Sequence, residues 1–138
     1  MIKGGCYCGA VRYEAAEPIL FRGQCHCREC QYISGGSANV VVGLGADGFS
    51  FSKGEPAAYT RPDLPHPVTR KFCATCGTHL LTESPGLTGV KIVKVGTLDN
   101  PEIFGQPERV IWTCEKQSFH HIPEGVPAYE KFPPRAGE

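Results

Sequence analysis

The stretch GGCYCGAVRY, residues 4–13, places two cysteines two positions apart near the start of the chain. In an extended strand residues i and i+2 face the same side, so Cys6 and Cys8 can direct both sulfurs at one ion while Tyr7 points away. The pair is therefore predicted to supply half of a metal site. The other half has to come from a distant part of the chain.

The sequence CATCG, residues 73–77, is the candidate for that second half. Gly77 has no Cβ and can take a left-handed conformation, so a tight turn would let backbone amides approach the sulfurs of Cys73 and Cys76. Zn–S bonds of about 2.3 Å require sulfurs roughly 3.8 Å apart in a tetrahedron. Because the entropic cost of closing a loop grows slowly with its length, this long-range pairing is feasible. We expect a closed, structural zinc site.

The third cluster is CHCREC, residues 25–30. We expect Cys25 and Cys27 on one strand face, with Cys30 brought round by the following turn, which leaves the fourth coordination position open. Catalytic zinc keeps such a position, whereas structural zinc does not. Three thiolates give the site a net charge of about −1, so it should acidify water weakly and suit a soft ligand such as a substrate thiolate.

Two other residues are alternatives for the fourth ligand of this cluster. His26 would point the opposite way if Cys25 and Cys27 share a strand face. Cys114 stands alone, and a free cysteine is more often a small buried hydrophobe. For the remaining histidines a solvated or core role is expected: His66, His79, His120 and His121.

Composition bounds the class of protein. A chain of 138 residues fits one domain, predicted over residues 1–133 with a frayed tail at 134–138. Lys and Arg number 14, as do Asp and Glu, so there is no general attraction to nucleic acid. The start carries no apolar leader and no run approaches the ~18 apolar residues of a membrane span, which predicts a soluble cytoplasmic protein.

The eight cysteines could instead form disulfides. Seven of the eight lie in tight Cys-x-Cys or Cys-x-x-Cys groups, and nothing indicates export, so metal binding is the favoured interpretation.

Glycine (17) and proline (12) divide the chain into short elements. Segments rich in β-branched residues recur between them, including AVRYEA, ANVVVG and GVKIVKVG, which predicts an all-β domain. Short helical turns are predicted in RECQYIS, residues 28–34, and in DNPEIF, residues 99–104, where Asp99 or Asn100 would cap.

The motifs GGCYCGAVRY, CHCRECQYISGG, RKFCATCGTHL and VGTLDNPE occur in that order. Together they resemble the glutathione-dependent formaldehyde-activating enzyme family, whose eukaryotic relatives include centromere protein V. The resemblance runs from about residue 3 to residue 133. It implies an antiparallel β-tent fold with two zinc ions, one structural and one catalytic and more labile.

By this resemblance the structural zinc ligands are Cys6, Cys8, Cys73 and Cys76, and the catalytic ones are Cys25, Cys27 and Cys30. The implied activity joins glutathione to formaldehyde, which makes the enzyme a carbon–sulfur lyase in the reverse direction. The chain departs from the family at Val110, where His is usual, at Phe119, where Trp is common, and at Cys114, where a small polar residue is usual. These departures bear on the substrate more than on the fold or the metals.

The expected partners are a small thiol of the glutathione type and an aldehyde, with no nucleic acid and no membrane. Cations beside the metal motifs are candidates for binding the thiol's carboxylates, although solvated surface charge is the ordinary role of each: Arg22, Arg28, Arg70 and Lys71. The backbone amides of SGG, residues 34–36, are further candidates. The alternatives to an enzyme are a zinc-stabilised binding module and a thiol-based redox or metal-buffering protein.

Overall fold

The structure is a computed structural model, and it describes residues 1–134. This part of the chain is mostly β, with a single short α-helix, α1 (Arg28–Ile33), as the sequence predicted. The strands are β1 (Ile2–Gly5), β2 (Arg12–Ala15), β3 (Ile19–Cys25), β4 (Asn39–Gly45), β5 (Phe49–Lys53), β6 (Ala57–Thr60), β7 (Thr69–Phe72), β8 (His79–Glu83), β9 (Val90–Lys94) and β10 (Arg109–Ile111).

The chain forms two compact units, and β3 and β4 each contribute residues to both. The first unit contains Met1–Phe21 and Val42–Phe104, and the second contains Arg22–Val41 and the chain from Gly105 onward. A single domain over residues 1–133 stays a prediction. The predicted frayed tail lies, from residue 135 on, outside the described residues. Within residues 1–134 no helix has the length and apolarity that crossing a membrane requires.

The first unit has a three-stranded sheet in the order β1-β2-β5. Strands β1 and β2 are antiparallel, with Gly4 opposite Tyr13, and the turn between them carries the first cysteine pair. The Tyr13 side chain is fully buried, stacks on Phe49 with ring centroids 5.2 Å apart, and shares a 2.7 Å hydrogen bond with the Thr97 hydroxyl. Satisfying that hydroxyl allows a large aromatic ring to fill the core.

The same unit has the strand order β4-β9-β8-β7-β6, in which β6 to β9 form an antiparallel meander. Leu80, Leu81 and Val93 are buried in it. Strands β7 and β8 pair with Phe72 opposite His79, so the turn between them holds residues 73–78, including the CATCG motif. The fold therefore places both halves of the predicted four-cysteine site at the ends of hairpins.

The second unit has β10 running parallel to β3, with Val110 opposite Gln24 and Ile111 opposite Cys25. Val110, one of the departures from the family pattern, is fully buried, and its backbone N–H donates to the Pro127 carbonyl at 2.9 Å. An apolar side chain suits this position because nothing polar has to be satisfied there.

The helical predictions are confirmed at both places. Helix α1 covers the RECQYIS stretch. The DNPEIF stretch forms a 3₁₀ turn, Pro101–Phe104, in which the Ile103 N–H donates to the Asn100 backbone carbonyl at 3.3 Å. The Asp99 carboxylate instead accepts hydrogen bonds from Arg12.

Gly4 is a position where any side chain would collide with its surroundings. A Cβ there would overlap the Thr97 carbonyl oxygen and the Tyr13 hydroxyl. We expect Gly4→Ala to lower the free energy of unfolding by about 1–3 kcal/mol, the usual range for overpacking. Gly45→Ala is the control, because a Cβ at Gly45 meets open space. Denaturant unfolding measures both variants. A free energy of unfolding equal to the parent's in both would contradict this packing.

Candidate metal centres

The first cysteine pair lies in a tight turn after β1. The Cys6 N–H donates to the Val11 carbonyl at 3.0 Å, and the Gly9 N–H donates to the Cys6 carbonyl at 3.2 Å. The predicted strand placement of Cys6 and Cys8 is wrong, since β1 ends at Gly5. The consequence it predicted is nevertheless present, because the turn brings the two sulfurs to 3.6 Å.

The second pair lies in the turn between β7 and β8. The Cys73 N–H donates to the Thr78 carbonyl at 2.9 Å, and the Gly77 N–H donates to the Cys73 carbonyl at 2.8 Å. Gly77 has φ = +79°, which confirms the left-handed conformation predicted for it. The Cys76 N–H points at the Cys73 sulfur at 3.5 Å, so the turn supplies a backbone donor to its own thiol.

These two turns bring four sulfurs together. Those of Cys6, Cys8, Cys73 and Cys76 all lie within 4.8 Å of one another, and Cys8 and Cys73 are 3.8 Å apart. A zinc tetrathiolate needs sulfurs roughly 3.8 Å apart, so the spacing of this cluster is compatible with zinc. Cys6 and Cys73 are buried while Cys8 and Cys76 are exposed. One side of the cluster therefore faces the core and the other faces solvent.

Electrostatics differ among the thiols of the four-cysteine cluster. Burial raises the pKa of Cys6, but the hydrogen bond from the Val11 N–H and the neighbouring sulfurs outweigh it, so this pKa is lowered. The Thr78 hydroxyl and backbone, followed by the Cys8 backbone, lower the pKa of Cys76 to about 5. The hydrogen bond from the Ala10 backbone lowers the pKa of Cys8. Desolvation and the neighbouring sulfurs outweigh it and raise this pKa to about 11. Close sulfurs cannot all ionise without a cation between them, so a divalent metal is what would allow four thiolates here.

The three-cysteine cluster spans the junction of β3 and α1. Cys25 is the last residue of β3, Cys27 is the N-cap of α1, and Cys30 lies in the first helical turn. The strand placement predicted for Cys27 was therefore wrong, but its sulfur still lies within 4.8 Å of the other two. The Cys30 N–H donates to the Cys27 sulfur at 3.3 Å, so one thiol acts both as helix cap and as candidate ligand.

Crowding of the sulfurs controls ionisation in this cluster. The adjacent sulfurs of Cys27 and Cys30, and then burial, raise the pKa of Cys25. The pKa of Cys27 is raised to about 11, because the Cys30 sulfur and burial outweigh the lowering effect of Cys25. The cluster is therefore expected to hold protons at neutral pH that a metal must displace. Its affinity for metal should rise with pH for that reason.

Neither alternative ligand joins the three sulfurs. Within residues 1–134 the group of ligand atoms consists of the three cysteine sulfurs alone. His26 is fully buried, its Nε2 lies 3.0 Å from Gln24 Nε2, and its ring packs edge-on against His120. Cys114 is exposed and belongs to neither cluster.

The sequence did not reveal the polar network behind α1. Gln31 is buried, and its Nε2 donates to the backbone carbonyls of His26 at 2.7 Å and Glu115 at 2.9 Å. His120 accepts the Gln117 N–H at Nδ1, which leaves Nε2 to donate to the Gly36 carbonyl at 2.7 Å. Two of these contacts, Gln31 to Glu115 and His120 to Gly36, join residues 84 positions apart, so no local pattern could have shown them.

The candidate cations have different surroundings. Arg22 lies 3.6 Å from Glu108, and Lys71 lies 3.0 Å from Glu83. Arg70 donates to the Thr82 hydroxyl at 3.4 Å. Arg28 contacts two neutral side chains, since it donates to Gln31 and stacks 5.0 Å from the centre of the Tyr32 ring. In the SGG stretch Gly35 and Gly36 both have positive φ, and Gly36 is held by His120.

The fold and the two clusters define a small β protein with two cysteine sites able to hold metal ions. Residues 1–115 match the family described as glutathione-dependent formaldehyde-activating enzyme, and the chain belongs to this family.

Two individual proteins are similar to the chain. A Halomonas elongata protein, provisionally named a glutathione-dependent formaldehyde-activating enzyme, is 28% identical over 95 residues, which cover 62% of this chain and 57% of that protein. A crystal structure of a Rhodobacter sphaeroides protein superimposes with a TM-score of 0.60 at 22% identity, covering 76% of this chain and 96% of the other. The second likeness concerns the fold alone.

The two clusters predict different consequences when a ligand is lost. Cys76→Ser opens the four-sulfur cluster, and because bound structural zinc contributes directly to folding, we expect a strongly destabilised or insoluble protein. Cys27→Ser, in the three-sulfur cluster, should leave a soluble fold that has lost one zinc. Thermal melts and zinc counts on both variants make the comparison.

Equal collapse of the two variants would mean that both clusters are structural. A stable Cys76→Ser protein that retains one zinc would mean that the four cysteines have been paired wrongly.

Proposed function

We propose that the protein is a zinc-dependent carbon–sulfur lyase that joins a small thiol, of the glutathione type, to an aldehyde such as formaldehyde. The observation that carries the proposal is the ligand count of the Cys25, Cys27 and Cys30 cluster. Within residues 1–134 its three sulfurs are joined by no fourth ligand atom. A site of three protein ligands has a position available for substrate.

The two clusters have different roles in this proposal. The four-cysteine cluster holds a structural zinc, because four protein ligands leave no place for a substrate. The three-cysteine cluster holds the catalytic zinc, which is the more labile of the two because it has fewer ligands. Bound zinc would supply the lowered thiol pKa that keeps the substrate sulfur as a thiolate at neutral pH.

The chemistry forms one carbon–sulfur bond. The thiol gives up its proton, its sulfur attacks the aldehyde carbon, and the carbonyl oxygen takes a proton to become a hydroxyl. No electrons are gained or lost overall. The residues of the chain contribute mainly by positioning, because holding the two reactants together makes the attack effectively intramolecular. The junction of β3 and α1 serves this purpose by placing Cys25 at the end of the strand and Cys27 at the N-cap of the helix.

Among the four candidate cations, Arg28 suits the recognition of a substrate carboxylate best. Its position directly after Cys27 places it at the N-terminal end of α1. Its contacts with Gln31 and Tyr32 leave its charge uncompensated by either, whereas Arg22 and Lys71 lie beside glutamates. A planar guanidinium can also bind a carboxylate with two hydrogen bonds.

A cytoplasmic location and the absence of a nucleic-acid partner remain part of the proposal.

The proposal predicts that the substrate thiol enters the cobalt-substituted cluster. Adding glutathione should change the sulfur-to-cobalt charge-transfer bands, because a fourth thiolate joins the metal. S-Methylglutathione is the ligand control, since its sulfur cannot ionise, and Cys27→Ser is the protein control. The zinc form of the protein, given glutathione and formaldehyde, should form the hydroxymethyl thioether faster than the uncatalysed reaction does.

Absence of any thiol effect on the spectrum would contradict the proposal. Thiol binding without faster adduct formation would favour a zinc-stabilised binding module.

A further inference from the structure

Asn39 is a buried amide beside the three-cysteine cluster. It is the first residue of β4 and only 7% exposed, and its Nδ2 lies 3.4 Å from the Cys30 sulfur. A metal-bound thiolate can accept a hydrogen bond but cannot donate one. The amide nitrogen is therefore the group of Asn39 that has to face it.

The surroundings make this asparagine unusual for its strand. The next residues of β4 read VVVGLG, and Val41, Val42 and Leu44 are all buried. Packing alone would be served by another apolar side chain, whereas a buried amide is unfavourable unless it is hydrogen-bonded. The contact with Cys30 supplies one such bond, and it reaches a residue that the proposed function makes a metal ligand.

We propose that Asn39 is a positioning residue for the catalytic metal, acting through an N–H···S hydrogen bond to the Cys30 thiolate. The inference rests on the proposed function, in which this cluster holds the metal. The hydrogen bond fixes the Cys30 sulfur in the ligand position and withdraws electron density from it. Groups that hydrogen-bond metal ligands typically change metal affinity or activity by about 10–100-fold.

Charge makes this bond important in the three-cysteine cluster. Three thiolates on a divalent ion give a net charge of about −1, and a substrate thiolate would make it more negative still. A donor to a ligand sulfur offsets part of that charge and makes a fourth thiolate easier to accept. The Cys30 backbone N–H does the same for Cys27, so two of the three sulfurs receive a donated bond from the protein.

The test replaces the amide and measures the metal. Asn39→Leu keeps a branched side chain, somewhat larger than the amide, without the donor, and Asn39→Ala removes both the donor and most of the side chain. Each is titrated with cobalt, and the spectrum of the Cys27→Ser protein is subtracted to leave the three-cysteine cluster. We expect each variant to bind cobalt at this cluster at least about tenfold more weakly. We also expect the charge-transfer bands to move to lower energy, because a sulfur without the hydrogen bond gives up its electrons more easily.

Asn100→Ala is the matched control for removing an amide away from the cluster, and its cobalt spectrum should equal the parent's. A thermal melt shows whether each Asn39 variant folds. If one of the two does not fold, the cobalt titration of the other decides the test. Cobalt affinity and band energies in Asn39→Leu or Asn39→Ala equal to those of the parent would overturn the role of Asn39 while leaving the proposed function intact. A parent protein whose three-cysteine cluster takes up no cobalt would overturn both.

Discussion

The meeting of two turns at four sulfurs is the constraint on which the fold of the first unit depends. The turn after β1 and the turn between β7 and β8 are separated by 65 residues at Cys8 and Cys73, yet these sulfurs lie 3.8 Å apart. Closing such a loop has an entropic cost, and short strands contribute little interaction energy to offset it. Structural zinc in small modules contributes about 10–16 kcal/mol, which is comparable to the ~5–15 kcal/mol by which a whole domain is stable. A metal at this cluster would therefore decide whether these strands stay together.

The two cysteine clusters share one local arrangement of backbone and sulfur. Each has a Cys-x-x-Cys segment in which a backbone N–H points back at the first sulfur, from Cys76 to Cys73 and from Cys30 to Cys27. The difference is what meets that segment. The Cys73–Cys76 segment meets the pair Cys6 and Cys8, which gives a cluster of four sulfurs. The Cys27–Cys30 segment meets Cys25 at the end of β3, which gives a cluster of three. Ligand number alone separates a structural role from a catalytic one in the proposed function.

Cysteine spacing carried most of what the sequence could predict. It gave the partition into four and three sulfurs and the left-handed Gly77, because both depend on local geometry and on a limited set of ligands. It placed Cys6, Cys8 and Cys27 on strands, which was wrong. A strand brings the sulfurs of residues i and i+2 to one side, but a tight turn or a helix cap does so equally well. Gln31 was not found, because its partner Glu115 lies 84 positions away. Asn39 lies nine positions from Cys30, but the cysteine pattern does not show which polar neighbour reaches a sulfur.

In the proposed function the protein supplies all four ligands of one zinc and only three of the other. X-ray absorption at the zinc edge, on protein saturated with two zinc ions, measures this directly. We expect a mean of about 3.5 sulfurs per zinc, midway between the four-cysteine and three-cysteine sets, with the remaining ligands oxygen or nitrogen. Adding glutathione should raise the mean to about four. A mean of four sulfurs before any thiol is added, or one that glutathione leaves unchanged, would contradict the account.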